Sequence, residues 1–130
     1  MTETPLVDCP DALCERVIGA AIAVHRALGP GLLESVYERA LAFELGQLGI
    51  PTQTQVDVPV RYRGHDLGPA FRADVIVEDC LLLELKSVAE LNELHMAQIL
   101  SYLRLLHFKR GYLMNFNVPR MVDGNRRVSI

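Results

Sequence analysis

The stretch from Asp74 to Lys86 reads DVIVEDCLLLELK: an aspartate, an apolar run, a turn at Glu78-Asp79, a second apolar run, then Glu84-Leu85-Lys86. Strand side chains alternate faces, so Glu84 and Lys86 share a face with Leu82, and Leu81, Leu83 and Leu85 take the other. By the same rule Asp74 goes with Arg72 and Ile76. A hairpin folded about Asp79 sets Asp74 opposite Glu84, with Cβ atoms roughly 5 Å apart. Like charges so placed repel unless something positive lies between them. A divalent ion such as Mg2+ or Mn2+ supplies that charge, since hard cations take carboxylate and carbonyl oxygens together with water. Lys86 then stands one strand step further on, where an ammonium orients or deprotonates a water, or steadies charge developing on a phosphate under attack. The same three residues also fit a solvated strand edge with a cross-strand salt bridge, because D-x(9)-E-x-K is a loose pattern.

Other polar residues stand where they could join this edge. Gln98 and Tyr102, at i and i+4, lie together beside the helical stripe of Met96, Ile99 and Leu103, close enough to reach strand ends or to hydrogen-bond locally. His95, one turn earlier, could share that edge or be an incidental surface group. Glu34 falls in the first turn of a helix directly after Gly29-Pro30-Gly31, where an acid favours the helix dipole. Tyr37, three residues on, fits plain core with its hydroxyl at the edge.

The elements that must position these groups are legible from periodicity. DALCERVIGAAIAVHRAL carries apolar residues at helical spacing through Val17, Ala20, Ala21, Val24 and Leu28, and LLESVYERALAFELGQLG does so through Leu33, Tyr37, Leu41, Leu45 and Leu48. The period changes to two at Val56, Val58, Val60 and Tyr62, a strand; RGHDLG then interrupts as a hairpin-like turn before the strands FRADVIV and CLLLELK. LNELHMAQILSYLRLL returns to helical spacing, GYLMNF is a short buried strand, and RRVSI is a candidate last strand. The predicted order is ααβββαββ.

At 130 residues, half of them hydrophobic, the chain fits a single domain over 1–130 with an ordinary core. No apolar run approaches the roughly 18 residues of a membrane span. The start MTETPLVDCPDALCERV has no basic-then-apolar signal pattern, so the expected location is cytoplasmic. Cys9, Cys14 and Cys80 lack zinc or CxxC spacing and read as reduced packing or surface thiols. A net charge of −3 gives no general attraction to nucleic acid, so a polyanion needs a local basic patch or a metal. Neither a GxSxG or Cys-His signature nor a phosphate-cradling glycine loop is present, which disfavours a Cys- or His-based hydrolase.

Taken together, LGPGLLESVYERAL, FRADVIV, LLLELKSV, AQILSYL and GYLMNF resemble the GxxExxY protein family, a branch of the PD-(D/E)xK nuclease superfamily. The signature reads Gly31, Glu34 and Tyr37, and the resemblance runs from about Val17 to Phe116. It implies an α/β, restriction-endonuclease-like fold: a mixed sheet with the acidic hairpin at its centre and flanking helices. Asp74 matches the acid of the PD element, with Ala73 standing where the superfamily name has proline, and Glu84-Leu85-Lys86 matches (D/E)xK. Glu34 matches a first-helix acid that assists the metal in several branches, and Gln98 and Tyr102 match a QxxxY element.

The expected function is therefore a Mg2+- or Mn2+-dependent nuclease acting on DNA or RNA. Asp74, Glu84 and Glu34 would bind the metal, Lys86 would assist a water, and Gln98 and Tyr102 would position water, substrate or metal shell. Arg61, Arg63, Arg72, Arg104, Lys109 and Arg110 are the available phosphate contacts, and RRVSI is an edge that could assist homodimer formation. The alternative is a catalytically silent nuclease-fold module that binds nucleic acid or a protein partner. It draws on the small size and acidic balance, whereas a binding-only module has no chemical need for Asp, Glu and Lys in this register.

Overall fold

The computed structural model describes residues 5–130. Two helices come first, α1 (Asp11–Leu28) and α2 (Glu34–Gln47), then three strands, β1 (Thr52–Tyr62), β2 (His65–Val77) and β3 (Leu81–Lys86). Helix α3 (Glu93–Leu106) leads to β4 (Arg110–Asn115), the four-residue α4 (Met121–Gly124) and β5 (Asn125–Ser129). The strands form one sheet in the order β1-β2-β3-β4-β5, antiparallel throughout except for the parallel pair β3–β4 that α3 connects. This is the expected mixed sheet with the acidic hairpin central, and α4 is the one element that the periodicity did not show.

Both faces of the sheet are covered. On one, Val17, Ala21 and Val24 of α1 and Tyr37, Leu41 and Leu45 of α2 pack on Val75, Val77, Leu81, Leu83, Leu85 and Met114. On the other, Ile99 and Leu103 of α3 pack on Ile76, Leu82, Leu113 and Val128. Strand β3 is therefore buried on both sides along its leucines, which explains a continuous apolar run where a half-exposed strand would alternate. Cys9, Cys14 and Cys80 are free and buried, with the Sγ atoms of Cys9 and Cys14 3.1 Å apart, and burial pushes the Cys9 thiol up to about 12.

One expectation needs correction. The hairpin-like turn falls within RGHDLG but spans only two of its residues, for β2 begins at His65, well before Phe71, and pairs with β1 up to Tyr62↔His65. Arg63 and Gly64 both have positive φ (51° and 78°), the mirror-image turn whose twist matches the strands and lets a hairpin close over two residues. The result is a ribbon far longer than β3, which pairs with β2 only from Val75 to Val77.

Candidate active site

The candidate residues gather where the β2–β3 ladder stops. Val75↔Leu83 is its last pair, and the next positions are Asp74 and Glu84. Alternation slips at this point: Phe71, Ala73 and Ile76 join the α3 side, whereas Val75 and Val77 join the α1–α2 side. Asp74 and Ile76 therefore do not share a simple strand face as alternation alone predicts. Across from Asp74 stands Gln55, held at φ 52°, and the β1–β2 ladder passes from Thr54↔Val75 to Val56↔Ala73. A left-handed residue facing an acid on a parting strand pair is a local irregularity of the kind that re-aims side chains.

In place of ladder bonds, each carboxylate takes a backbone donor near the parting strands. The Asp74 N–H donates to Glu84 Oε2 at 2.9 Å, and the Leu85 N–H donates to Asp74 Oδ2 at 2.9 Å. One oxygen of each acid is thereby fixed. Glu84 is only 6% exposed, and burial, followed by the neighbouring Asp74 charge, pushes its carboxyl up to about 8. Burial likewise raises Asp74, against the Leu85 N–H and the Lys86 charge, which favour its ionised form. Such a pair is short of positive charge.

Lys86, half-buried at the end of β3, pulls both acids toward ionisation, but less strongly than burial opposes it. Among the described residues it forms no ion pair. Its neighbours hold the strand end in place. Asn115, beside Lys86 in the β3–β4 register, accepts the Val88 N–H at 3.2 Å and donates to the Val88 carbonyl at 3.0 Å. Glu34 accepts the Ser87 N–H at 3.3 Å, and the Ser87 hydroxyl donates to the Leu32 carbonyl at 2.7 Å.

Behind Glu34, Tyr37 clasps the turn from inside. Its hydroxyl donates to the Gly29 carbonyl at 2.6 Å and accepts the Leu32 N–H at 3.1 Å, while its ring stacks on Phe116 with centroids 4.6 Å apart. The hydroxyl is a strut rather than an edge group. Gly31, at φ 96°, supplies the backbone freedom that the turn requires. Gly31, Glu34 and Tyr37 thus build the α1–α2 turn and fasten it to the exit of β3.

Tyr102 stacks on Phe71 with ring centroids 3.7 Å apart, and its phenol is raised by burial and then by the charges of Glu84 and Asp74, which places it beside the acids. Gln98 lies half-buried one helical turn earlier. His95 does not join them: with Asn92 it forms the reciprocal cap of α3, each side chain bonding the other's backbone N–H at 2.9 and 3.2 Å.

Sequence reasoning missed two residues. Gln55 donates to both oxygens of Glu38, at 3.0 and 2.9 Å, and approaches Asp74 Oδ1 at 3.4 Å. Glu38 was detectable as the acid one turn after Glu34 on the same helix face, but the positive φ of Gln55 leaves no sequence signal. Glu34, Glu38, Arg39, Gln55 and Asp74 line a cleft of about 560 Å³. Arg110, by contrast, is no phosphate contact. It is buried, ion-paired to Asp8 and Asp11 at 2.7 Å each, and it donates to the Cys9 carbonyl.

The donor set fits a hydrated divalent cation. Backbone N–H groups occupy Asp74 Oδ2 and Glu84 Oε2, so the oxygens for a ligand are Glu84 Oε1 and Asp74 Oδ1, the latter held only by the long 3.4 Å contact from Gln55. Among the described residues no group of three or more His, Cys, Asp or Glu side chains could by itself hold a metal. Two carboxylates with the remaining ligands from water and phosphate is how Mg2+ is commonly bound.

Comparison with protein families finds that the model of the PD-(D/E)XK nuclease superfamily matches residues 11–128. Comparisons with curated proteins and with solved structures find no match. No helix among the described residues is long and apolar enough to cross a membrane.

Proposed function

The chain belongs to the PD-(D/E)XK nuclease superfamily, and from that premise we propose that it is a metal-dependent phosphodiesterase of the GxxExxY branch that hydrolyses DNA or RNA. The observation that carries the reading is the crossed pair of bonds at the parting of β2 and β3, which fixes one oxygen of Asp74 and one of Glu84 and leaves a buried, electron-rich pair beside Lys86. Asp74 and Glu84 would hold Mg2+ or Mn2+, with Glu34, which lines the same cleft as Asp74, assisting. When bound, such an ion polarises a phosphoryl oxygen and lowers the pKa of water.

The protein's own groups do the rest. Lys86 orients the attacking water and steadies the charge on the phosphoryl oxygens as the water oxygen bonds to phosphorus and the P–O bond to the leaving group breaks. Gln98 and the Tyr102 phenol position that water or the scissile phosphate, the phenol ring being locked by Phe71. Glu34 and Tyr37 act on the exit of β3, keeping Lys86 in place through Ser87.

Purified protein incubated with labelled single- and double-stranded DNA and RNA should cut at least one of them in Mg2+ or Mn2+ and none in EDTA. Cleavage that persists in EDTA would remove the metal from the reading, and no cleavage of any substrate in either metal would remove the activity.

A further inference from the structure

The ribbon formed by β1 and β2 leaves the body of the protein. β3 reaches no further along β2 than Val75, and from Pro59 to Ala70 every residue is exposed except Val60 and Gly68, which are half-buried. A two-stranded ribbon by itself is marginal in water. This one also leaves Tyr62 and Leu67 59% and 62% exposed. Its charge departs from that of the chain. Arg61 and Arg63 flank Tyr62, with the Arg63 guanidinium 5.5 Å from the ring centroid. Arg61 donates to the Gly64 carbonyl at 3.2 Å and stands opposite Asp66, the one acid of the stretch, which accepts the Gly68 N–H at 2.8 Å and forms no ion pair with Arg61. Arg72, nearer the root, is already paired with Asp57 at 3.1 Å.

Resting on the nuclease reading above, we propose that this arm docks double-stranded DNA, with the ribbon in the major groove and Arg61 and Arg63 on the phosphates beside it. The DNA major groove, about 12 Å wide, admits a two-stranded β-ribbon, whereas the major groove of an RNA duplex is too narrow for side chains to read. A second copy of the chain adding a strand is disfavoured, because Pro59 and Pro69 face each other at the base of the arm and remove a ladder donor from each edge. The arm is continuous with the strand that carries Asp74. Roughly nine residue steps at about 3.3 Å each put its tip about 30 Å from the acids. That distance corresponds to about nine base pairs of duplex at ~3.4 Å rise.

Two variants test this: Arg61→Ala with Arg63→Ala, and an arm in which residues 60–68 are replaced by a two-residue Asn-Gly turn. Binding to labelled DNA duplexes of 8, 14 and 20 base pairs, and to an RNA duplex of 20, is measured in EDTA at several salt concentrations, with thermal melting as the check on folding and sedimentation as the check on assembly. Wild-type affinity should rise sharply between the short and long duplexes. The double variant should bind the long duplex roughly 10-fold or more weakly, with a salt dependence shallower by about two phosphate contacts. The shortened arm should lose the length dependence. Unchanged affinity and length dependence in both folded variants would overturn the proposal, as would no wild-type binding to duplex DNA, equal binding to RNA duplex, or a wild-type dimer that the shortened arm dissociates without loss of DNA binding. Because binding is read in EDTA, duplex binding through the arm without cleavage in any metal would sink the nuclease reading alone. Cleavage with arm-independent binding would sink the arm alone.

Discussion

Replacing Glu84 by glutamine isolates the electrostatic strain at the centre of the site. Burial and the Asp74 charge raise the Glu84 carboxyl from an ordinary 4.5 to about 8 in the folded protein. Below pH 4.5 the group is protonated whether the chain is folded or not, so it costs nothing. Between 4.5 and about 8 the unfolded chain ionises and the folded one does not, so the unfolded state binds fewer protons and stability falls as pH rises, by up to about 1.4 kcal/mol per unit. Over the window the loss is on the order of 4 kcal/mol. Glutamine keeps an oxygen for the Asp74 N–H but has no proton to lose. In EDTA, urea unfolding should therefore find Glu84→Gln similar to wild type near pH 4.5 and more stable by a few kcal/mol near pH 8. Saturating Mg2+ should close the gap by stabilising the wild type alone. A variant less stable than wild type at pH 8 in EDTA would refute the reasoning and make Glu84 half of a stabilising salt bridge with Lys86.

Mn2+ binding followed by isothermal titration should be sharply weakened by Asp74→Asn, whereas equal binding would show that the parted strands do not hold the ion. Leu83, fully buried against the α1–α2 layer, should cost about 2–5 kcal/mol when truncated to alanine, read from the unfolding midpoint; a loss under 1 kcal/mol would contradict that packing. Tyr37→Phe strands the Gly29 carbonyl and Leu32 N–H, and should cost about 1–3 kcal/mol and loosen the Ser87 tether, seen as faster amide exchange at Ser87. Unchanged exchange would mean that the turn does not hold the β3 exit.

The helices and the central hairpin were legible because their signals are local: apolar residues at a period of 3.6 in α1, α2 and α3, a leucine run bounded by Glu78-Asp79, and an acid ten residues before Glu84. What was not legible depends on backbone states or long-range partners. The left-handed Gln55 and the slipped alternation at Asp74 follow from how β1 and β3 meet β2, which a period-two count cannot see. His95 looked like a neighbour of Gln98 and serves as a cap, since its partner Asn92 lies outside the helical stripe. Arg110 looked like a surface cation because Asp8 and Asp11 lie about 100 residues away in sequence. The hairpin-like turn was legible at RGHDLG, but its confinement to Arg63 and Gly64, and with it the length of the ribbon, was not.

If Asp74, Glu84 and Lys86 form a working phosphodiesterase centre, as proposed, Lys86→Met should disable it without emptying it. Methionine keeps much of the aliphatic stem and removes the ammonium. With a substrate that the wild type cuts, at saturating Mg2+ and with nucleic-acid affinity measured alongside, single-turnover cleavage should fall by roughly 100-fold or more, as expected for one transition-state donor, while metal and substrate affinities hold within a few-fold. Cleavage at the wild-type rate by Lys86→Met, with both affinities unchanged, would contradict the account.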